Sequence, residues 1–313
     1  MTGGTSGFGR RALEMILARP EWRVILLARR SERTEELKRI YEDSGRLAIV
    51  EADLASLSSL SAAIADVEAR LNGRPIDAMA LNAGIQTVAG DQQSADGLEL
   101  TFAVNHLAHF LMADRLGPHI RDGGRIVFTA SEVHDPEAFC LMGITRASWQ
   151  DPALLADARL AQAHYEKPVD RGEARYCASK LLNIHTVRHL ARSVPRFSTI
   201  AFNPSVVPGT DIARDRNVIQ ILAWKYVMPA VAPILPGARS VERSAGDLVW
   251  LLTEADARSH SGSYVNGRTV EAGSADSRDP EKLALTVSVS RRLLAPWMKA
   301  PRAGSQGAVV RGR

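Results

Sequence analysis

The chain has 313 residues, 45% of them hydrophobic, enough to bury a core as one large α/β domain or two smaller ones. Its formal net charge is +4, but the positive residues are scattered, mostly arginines, and no basic stripe interleaved with aromatics marks a nucleic-acid surface. Cys140 and Cys177 are too few for a disulfide framework and fit a reducing, cytoplasmic compartment, while the absence of a long uncharged apolar run excludes a spanning helix.

The first ten residues, MTGGTSGFGR, crowd glycines at 3, 4, 7 and 9 into a loop, and residues 8–19 then read as a helix with Leu13, Ile16 and Leu17 on one face. WRVILLA at 22–28 is a nearly continuous apolar run, the mark of a strand covered on both faces. Residues 31–43 are charged and helical, RLAIVEAD at 46–53 is a strand, and 56–72 is a helix ended by Asn72-Gly73. DAMALNAG at 77–84 reads as a strand running into a turn, 95–116 as a long helix and GRIVFTAS at 124–131 as a strand. A helix at 174–194, a strand at 198–204, a helix at 240–254 and a short strand at 262–267 follow. This alternation predicts a single Rossmann-like α/β domain over 1–295, with a doubly wound parallel sheet. Two segments break the rhythm, an insertion at 132–172 and a stretch at 205–239. Both follow the carboxyl end of a strand, where open α/β sheets bind ligands, so both read as substrate-covering, the second as a lid. Residues 296–313 read as a disordered tail.

Glycines let backbone approach a pyrophosphate, and a helix starting near Gly7 points free N–H groups and a positive dipole end at such an anion. A glycine-rich turn with no ligand is the plainer reading of that loop taken alone. Other residues fall into line with it: Asn82-Ala83-Gly84 ends a strand, Asn105 lies in a helix, Ser131 ends a strand, and Tyr176-Cys-Ala-Ser-Lys180 opens a helix. In order and placement these motifs resemble the short-chain dehydrogenase/reductase family over roughly residues 2–270. VNHLAHFLM, RIVFTASEVHDP and YCASKLLNI look most like its retinol-dehydrogenase and protochlorophyllide-reductase branch.

Tyr176 and Lys180 are four apart, so they share a helix face. A lysine ammonium about 4 Å from a phenol, at an effective dielectric near 20, favours the phenolate by roughly 4 kcal/mol, about three pKa units at most. That brings a tyrosine towards proton exchange at neutral pH. The resemblance implies that Tyr176 protonates a carbonyl oxygen during reduction. It further implies that Lys180 lowers the tyrosine pKa and holds the nicotinamide ribose, that Ser131 orients the substrate oxygen, and that Asn105 stabilises a proton-relay water. Thr129 is the poorer rival to Ser131, two residues further inside the strand.

For the cofactor, the resemblance places Gly3, Thr5, Ser6, Gly7, Phe8 and Gly9 around the diphosphate, with Asp53, Leu54, Asn82, Ala83 and Gly84 towards the adenine side. Pro204 and Thr210 would lie near the carboxamide, with Ser205 standing where the family usually has glycine. The second strand ends Ala28-Arg29-Arg30, with no acid to take a ribose 2′-hydroxyl. A guanidinium suits a 2′-phosphate, so the expected cofactor is NADP(H), contacted by Arg29 ahead of Arg30; solvated loop arginines are the alternative.

The pairs His106/His109 and His185/His189 have helical spacing but no evident third ligand, so no metal is expected. The apolar run at 218–235 carries Lys225, Pro229 and Pro233 and reads as a greasy cover for a lipophilic substrate, with a membrane-surface contact or a dimer contact as alternatives. In the family a buried strand precedes the glycine loop, and here only Met1 does; a start upstream of Met1 is the expectation. The expected activity is NADPH-dependent transfer of hydride to or from a carbonyl/alcohol of a lipophilic small molecule. Carbon–carbon double-bond reduction and cofactor binding without catalysis are the alternatives.

Overall fold

The computed structural model describes residues 1–87, 91–138, 149–159, 167–208 and 237–298. Strand β1 (Val24–Ala28) pairs in parallel with β2 (Leu47–Glu51). Strands β3 (Ile76–Leu81), β4 (Ile120–Thr129), β5 (Ser198–Asn203) and β6 (Tyr264–Asn266) form a second parallel run in that order. β7 (Thr269–Glu271), not foreseen from the sequence, closes its edge antiparallel. Met1 and Thr2 stand between the two parts, where the sequence calls for a central strand. Leu27 N–H donates to the Met1 carbonyl and Thr2 N–H to the Ala80 carbonyl, each at 2.9 Å.

Helices cover both faces. They are α1 (Gly7–Leu17), α2 (Glu32–Tyr41), α3 (Leu57–Leu71), α4 (Leu100–Phe102), α5 (Ala108–Leu116), α6 (Pro152–Leu155), α7 (Pro168–Ser193), α8 (Val241–Thr253), α9 (Ala275–Arg278) and α10 (Pro280–Met298). Leu13 and Leu17 of α1 meet Leu248 and Leu252 of α8 over Leu26, Val127 and Phe202 on one face. On the other, Ile64, Leu111, Leu182 and Val287 from α3, α5, α7 and α10 pack over Leu81, Ile126 and Phe128. Every residue of β5 is buried, as a strand between two helical layers must be. The doubly wound reading therefore holds.

Several boundaries differ, each for a local reason. The helix expected from residue 95 starts at Leu100, because the Glu99 carboxylate caps it, accepting Thr101 N–H at 3.0 Å and Phe102 N–H at 2.7 Å. It is then broken by a π turn, Ala103–Leu107, before α5. α7 begins at Pro168, a residue suited to a first helical turn, so Tyr176 lies well inside its helix rather than at its opening. The tail reading is wrong for residues 296–298: α10 runs to Met298, and Trp297 and Met298 pack against the core. Residues 299–313 lie outside the described residues, as does most of the expected lid. At the two described ends of that segment, Val206 N–H donates to the Gly237 carbonyl at 3.1 Å and Arg239 N–H to the Val206 carbonyl at 2.9 Å. Of the described residues, no helix is long and apolar enough to cross a membrane.

Candidate active site

The glycine loop is stapled to the carboxyl ends of β3 and β4. Thr2 Oγ1 accepts the N–H groups of Asn82 and Ala83, each at 3.0 Å, and lies 3.2 Å from His109 Nε2. His109 Nδ1 faces the Asn105 carbonyl at 3.1 Å, which can only accept, so Nδ1 carries the proton and Nε2 accepts from the threonine. Asn82 Nδ2 donates to the Gly3 carbonyl at 3.2 Å, and Thr129 Oγ1 donates to Asn82 Oδ1 at 2.9 Å. Asn82 thus spends both ends of its amide holding the loop, and Thr129 is occupied in the same way. The close approach requires glycine: a Cβ on Gly9 would stand 2.0 Å from the Gly3 carbonyl oxygen, and Gly3 itself has φ 69°. α1 starts at Gly7 with no side-chain cap from Ser6 and no acid in its first turn, leaving its N–H groups and dipole for an anion. Thr5, Ser6 and Phe8 are half-buried beside it, and the Phe8 ring meets Phe202 edge-on at 6.4 Å.

Arg29 and Arg30 follow β1 and are exposed. After β2, Asp53 Oδ1 accepts Ala55 N–H at 3.0 Å, and Leu54 packs against the core. Thr210 lies outside the described residues.

The reactive pair sits on α7. Tyr176 and Lys180 are buried, with Lys180 Nζ 5.4 Å from the centre of the Tyr176 ring. Nζ donates to the Thr129 carbonyl at 3.2 Å, and burial pulls the lysine pKa down to about 8. Asn105 lies in the π turn, fully buried, and its side chain is fixed on both sides of Ile85: Oδ1 accepts Ile85 N–H at 2.8 Å and Nδ2 donates to the Ile85 carbonyl at 2.9 Å. Nδ2 also reaches Ser179 Oγ at 3.1 Å. Its backbone carbonyl is taken by His109 and by Asn183 Nδ2 at 3.1 Å. A Cβ on Gly84 would lie 3.5 Å from both Asn105 Oδ1 and Lys180 Nζ, so these three residues converge on one point. Ser131, half-buried after β4, caps a 3-10 turn (Glu132–His134), and its carbonyl accepts from His134 Nδ1 at 2.7 Å.

Sequence reading missed Ser179 and Asn183, although polar residues at this spacing on an otherwise apolar helix face were a signal. It also missed the Glu99–Arg175 pair, both buried, 3.6 Å apart. Arg175 donates to the carbonyls of Leu155 and Asp157, each at 3.0 Å, so the residue before Tyr176 anchors the insertion. The histidines serve the core. His106 bonds Asn183 and Ser290, His185 bonds Thr286 and the Asp276 carbonyl, and burial lowers their pKa values to about 3 and about 4. Among the described residues, no three His, Cys, Asp or Glu side chains gather as a metal site.

A nucleotide-loop architecture joined to a buried Tyr–Lys pair defines a Rossmann-type oxidoreductase. The short chain dehydrogenase family model matches residues 1–140. The relative named "Putative daunorubicin C-13 ketoreductase DnrU" from Streptomyces sp. (strain C5) is 30% identical over 288 residues, covering 87% of this chain and 86% of its own length. The chain belongs to the short-chain dehydrogenase/reductase family. Protochlorophyllide reductase of Chlamydomonas reinhardtii is 34% identical over 119 residues, 37% of this chain and 30% of its own length. The solved structure of NADPH-bound carbonyl reductase from chicken fatty liver superposes with a TM-score of 0.60 at 19% identity, over 87% of this chain and 96% of that one, which establishes the shared fold.

Proposed function

We propose that this protein is an NADP(H)-dependent oxidoreductase that reduces a carbonyl, or oxidises an alcohol, on a mostly apolar small molecule. The observation that carries this is the meeting of Lys180, Asn105 and Gly84 beside Tyr176, at the sheet end where the uncapped α1 begins. The residues present fit a dinucleotide: Gly3, Gly7 and Gly9 bring bare backbone to the start of α1, and Gly84 leaves the space in front of Lys180 open. When bound, the reduced nicotinamide supplies the hydride.

Tyr176 gives its phenolic proton to the substrate oxygen. Lys180, mostly ammonium at neutral pH with a pKa of about 8, favours the phenolate that results. Asn105 Oδ1 faces the same point as Lys180 Nζ and would hold a relay water there; its backbone carbonyl, already accepting two hydrogen bonds, does not. Ser131 orients the substrate oxygen. Arg29 and Arg30, exposed after β1 where no acid stands to take a ribose 2′-hydroxyl, suit a 2′-phosphate. The ketoreductase named among the relatives supports the carbonyl reading. Similarity to protochlorophyllide reductase favours a second, reduction of a carbon–carbon double bond by the same Tyr–Lys pair. The setting we propose is cytoplasmic, with a domain spanning 1–295 and substrate-covering segments at 132–172 and 205–239.

Equilibrium fluorescence titration with NADPH and NADH tests the cofactor. The native protein should prefer NADPH at least tenfold, and Arg29→Ala should remove most of that preference. Equal affinities for the two cofactors would overturn the NADP assignment.

A further inference from the structure

Among the described residues, two besides glycine have a left-handed backbone, Asn72 at φ 46° and Ser205 at φ 65°. Asn72 ends α3, where asparagine tolerates that conformation. Ser205 is at no helix end. It follows Pro204 directly after β5, at the carboxyl edge of the sheet, and is held there by its neighbours. Its N–H donates to Asn203 Oδ1 at 2.9 Å and its hydroxyl donates to Asn266 Oδ1 at 2.9 Å, while the Pro204 carbonyl accepts from Ser244 Oγ at 2.8 Å. Asn203 is fully buried, and its Nδ2 donates to Glu132 Oε2 at 2.8 Å. Glu132 is the residue after Ser131.

The chemistry of this chain of contacts is directional. Only the oxygen of the Asn203 amide can accept from Ser205 N–H, and a carboxylate, having no proton to give, accepts only from the NH₂ end. Glu132, beside the Tyr264 hydroxyl that also bonds the Asn203 side chain, therefore sets which way that amide faces. A serine keeps a left-handed backbone only where its surroundings over-determine it, whereas glycine adopts it unaided.

We propose that Glu132 is a positioning residue: through Asn203 it locks the Pro204–Ser205 turn beside the nicotinamide end of the cofactor site and ties that turn to the Ser131 loop. This rests on the nucleotide-binding reading given above. Without Glu132 the Asn203 NH₂ loses its charged partner and is left to the Tyr264 hydroxyl, the amide and with it the acceptor of Ser205 N–H are held less firmly, and the serine relaxes out of the left-handed region. The binding-competent turn is then a minority state, and apparent affinity falls by its fraction.

The test is equilibrium NADPH titration on the full chain, with the thermal midpoint measured in parallel. Glu132→Ala should weaken NADPH about tenfold. Glu132→Gln, whose amide oxygen still accepts, should stay within about threefold. Ser205→Gly alone should leave binding within about twofold, and in the Glu132→Ala background it should restore affinity to that level. If Glu132→Ala does not fold, Glu132→Met replaces it in the same comparison. Unchanged affinity on removing the carboxylate, or a tenfold loss that persists with glycine at 205, overturns the proposal. Native protein that binds no NADPH overturns the nucleotide reading itself; native binding with uncoupled variants overturns only the role of Glu132.

Discussion

Replacing Lys180 with methionine should abolish turnover and yet make the folded protein more stable. Lys180 is 3% exposed, and its pKa falls from 10.5 to about 8 because burial disfavours the charge. That shift corresponds to about 3 kcal/mol against the buried ammonium at neutral pH. Its bond to the Thr129 carbonyl offsets part of what a methionine would recover, about 1–2 kcal/mol. Thr129 keeps a second donor in Asn183 Nδ2 at 3.4 Å. The net gain for Lys180→Met is about 1–2 kcal/mol at pH 7, a rise of roughly 1.5–3 °C in the melting temperature of a chain this size. The sign with pH follows from the depressed lysine. Between about 8 and 10.5 the unfolded chain binds the proton that the folded one has lost, so native stability rises with pH in that window, by about 1.4 kcal/mol per unit. Methionine does not titrate, so the variant's advantage should be full below pH 8, vanish near pH 9 and reverse by about 10.5, where the native lysine keeps its bond to Thr129 without the cost of a buried charge. Paired thermal unfolding without cofactor at pH 7, 9 and 10 reads both effects. A variant less stable than native at pH 7, or an advantage that ignores pH, would refute the reasoning.

Other outcomes follow from the same packing. Gly9→Ala forces a Cβ to within 2.0 Å of the Gly3 carbonyl oxygen and 2.5 Å of Asn82 Nδ2. It should cost about 3 kcal/mol in urea unfolding and abolish dinucleotide binding; a native-like titration curve would contradict the loop geometry. Arg175→Met strands the Glu99 carboxylate in the core and should cost about 3–5 kcal/mol by the same assay. Adding Glu99→Gln, which removes the charge and keeps one of the two oxygens that accept from Thr101 and Phe102 N–H, should recover part of that loss, whereas a further loss would show that the charge is not the cause.

The sheet was legible because buried parallel strands announce themselves as short apolar runs: VILLA and STIAFN, read within longer runs, are strands covered on both faces. The Tyr176–Lys180 pair was legible from its spacing, since one helical turn puts both on a face. That burial would weaken the lysine itself was not, because spacing carries no information about desolvation. The π turn at Asn105 leaves no local trace in an apolar helical stretch. α10 was missed because Lys282, Ser288, Arg291 and Arg292 interrupt its apolar positions, which become one face only against α5 and α7. The partners of the Asn82 amide, Gly3 and Thr129, lie 79 and 47 residues away and so leave no local sign. The Glu132–Asn203 contact, 71 residues apart in sequence, is likewise a product of the fold rather than of any local pattern.

The central claim is that Tyr176 completes a hydride transfer from reduced nicotinamide to a carbonyl carbon. It is tested most directly by single-turnover reaction of NADPH deuterated at the transferring position with a lipophilic α,β-unsaturated ketone, read by mass spectrometry and NMR. The expected product carries deuterium on the carbinol carbon with native protein, and Tyr176→Phe, still binding NADPH, yields about a hundredfold less or lower. Deuterium at the β carbon would move the assignment to double-bond reduction. No transfer at all, or full transfer by Tyr176→Phe, would contradict the account.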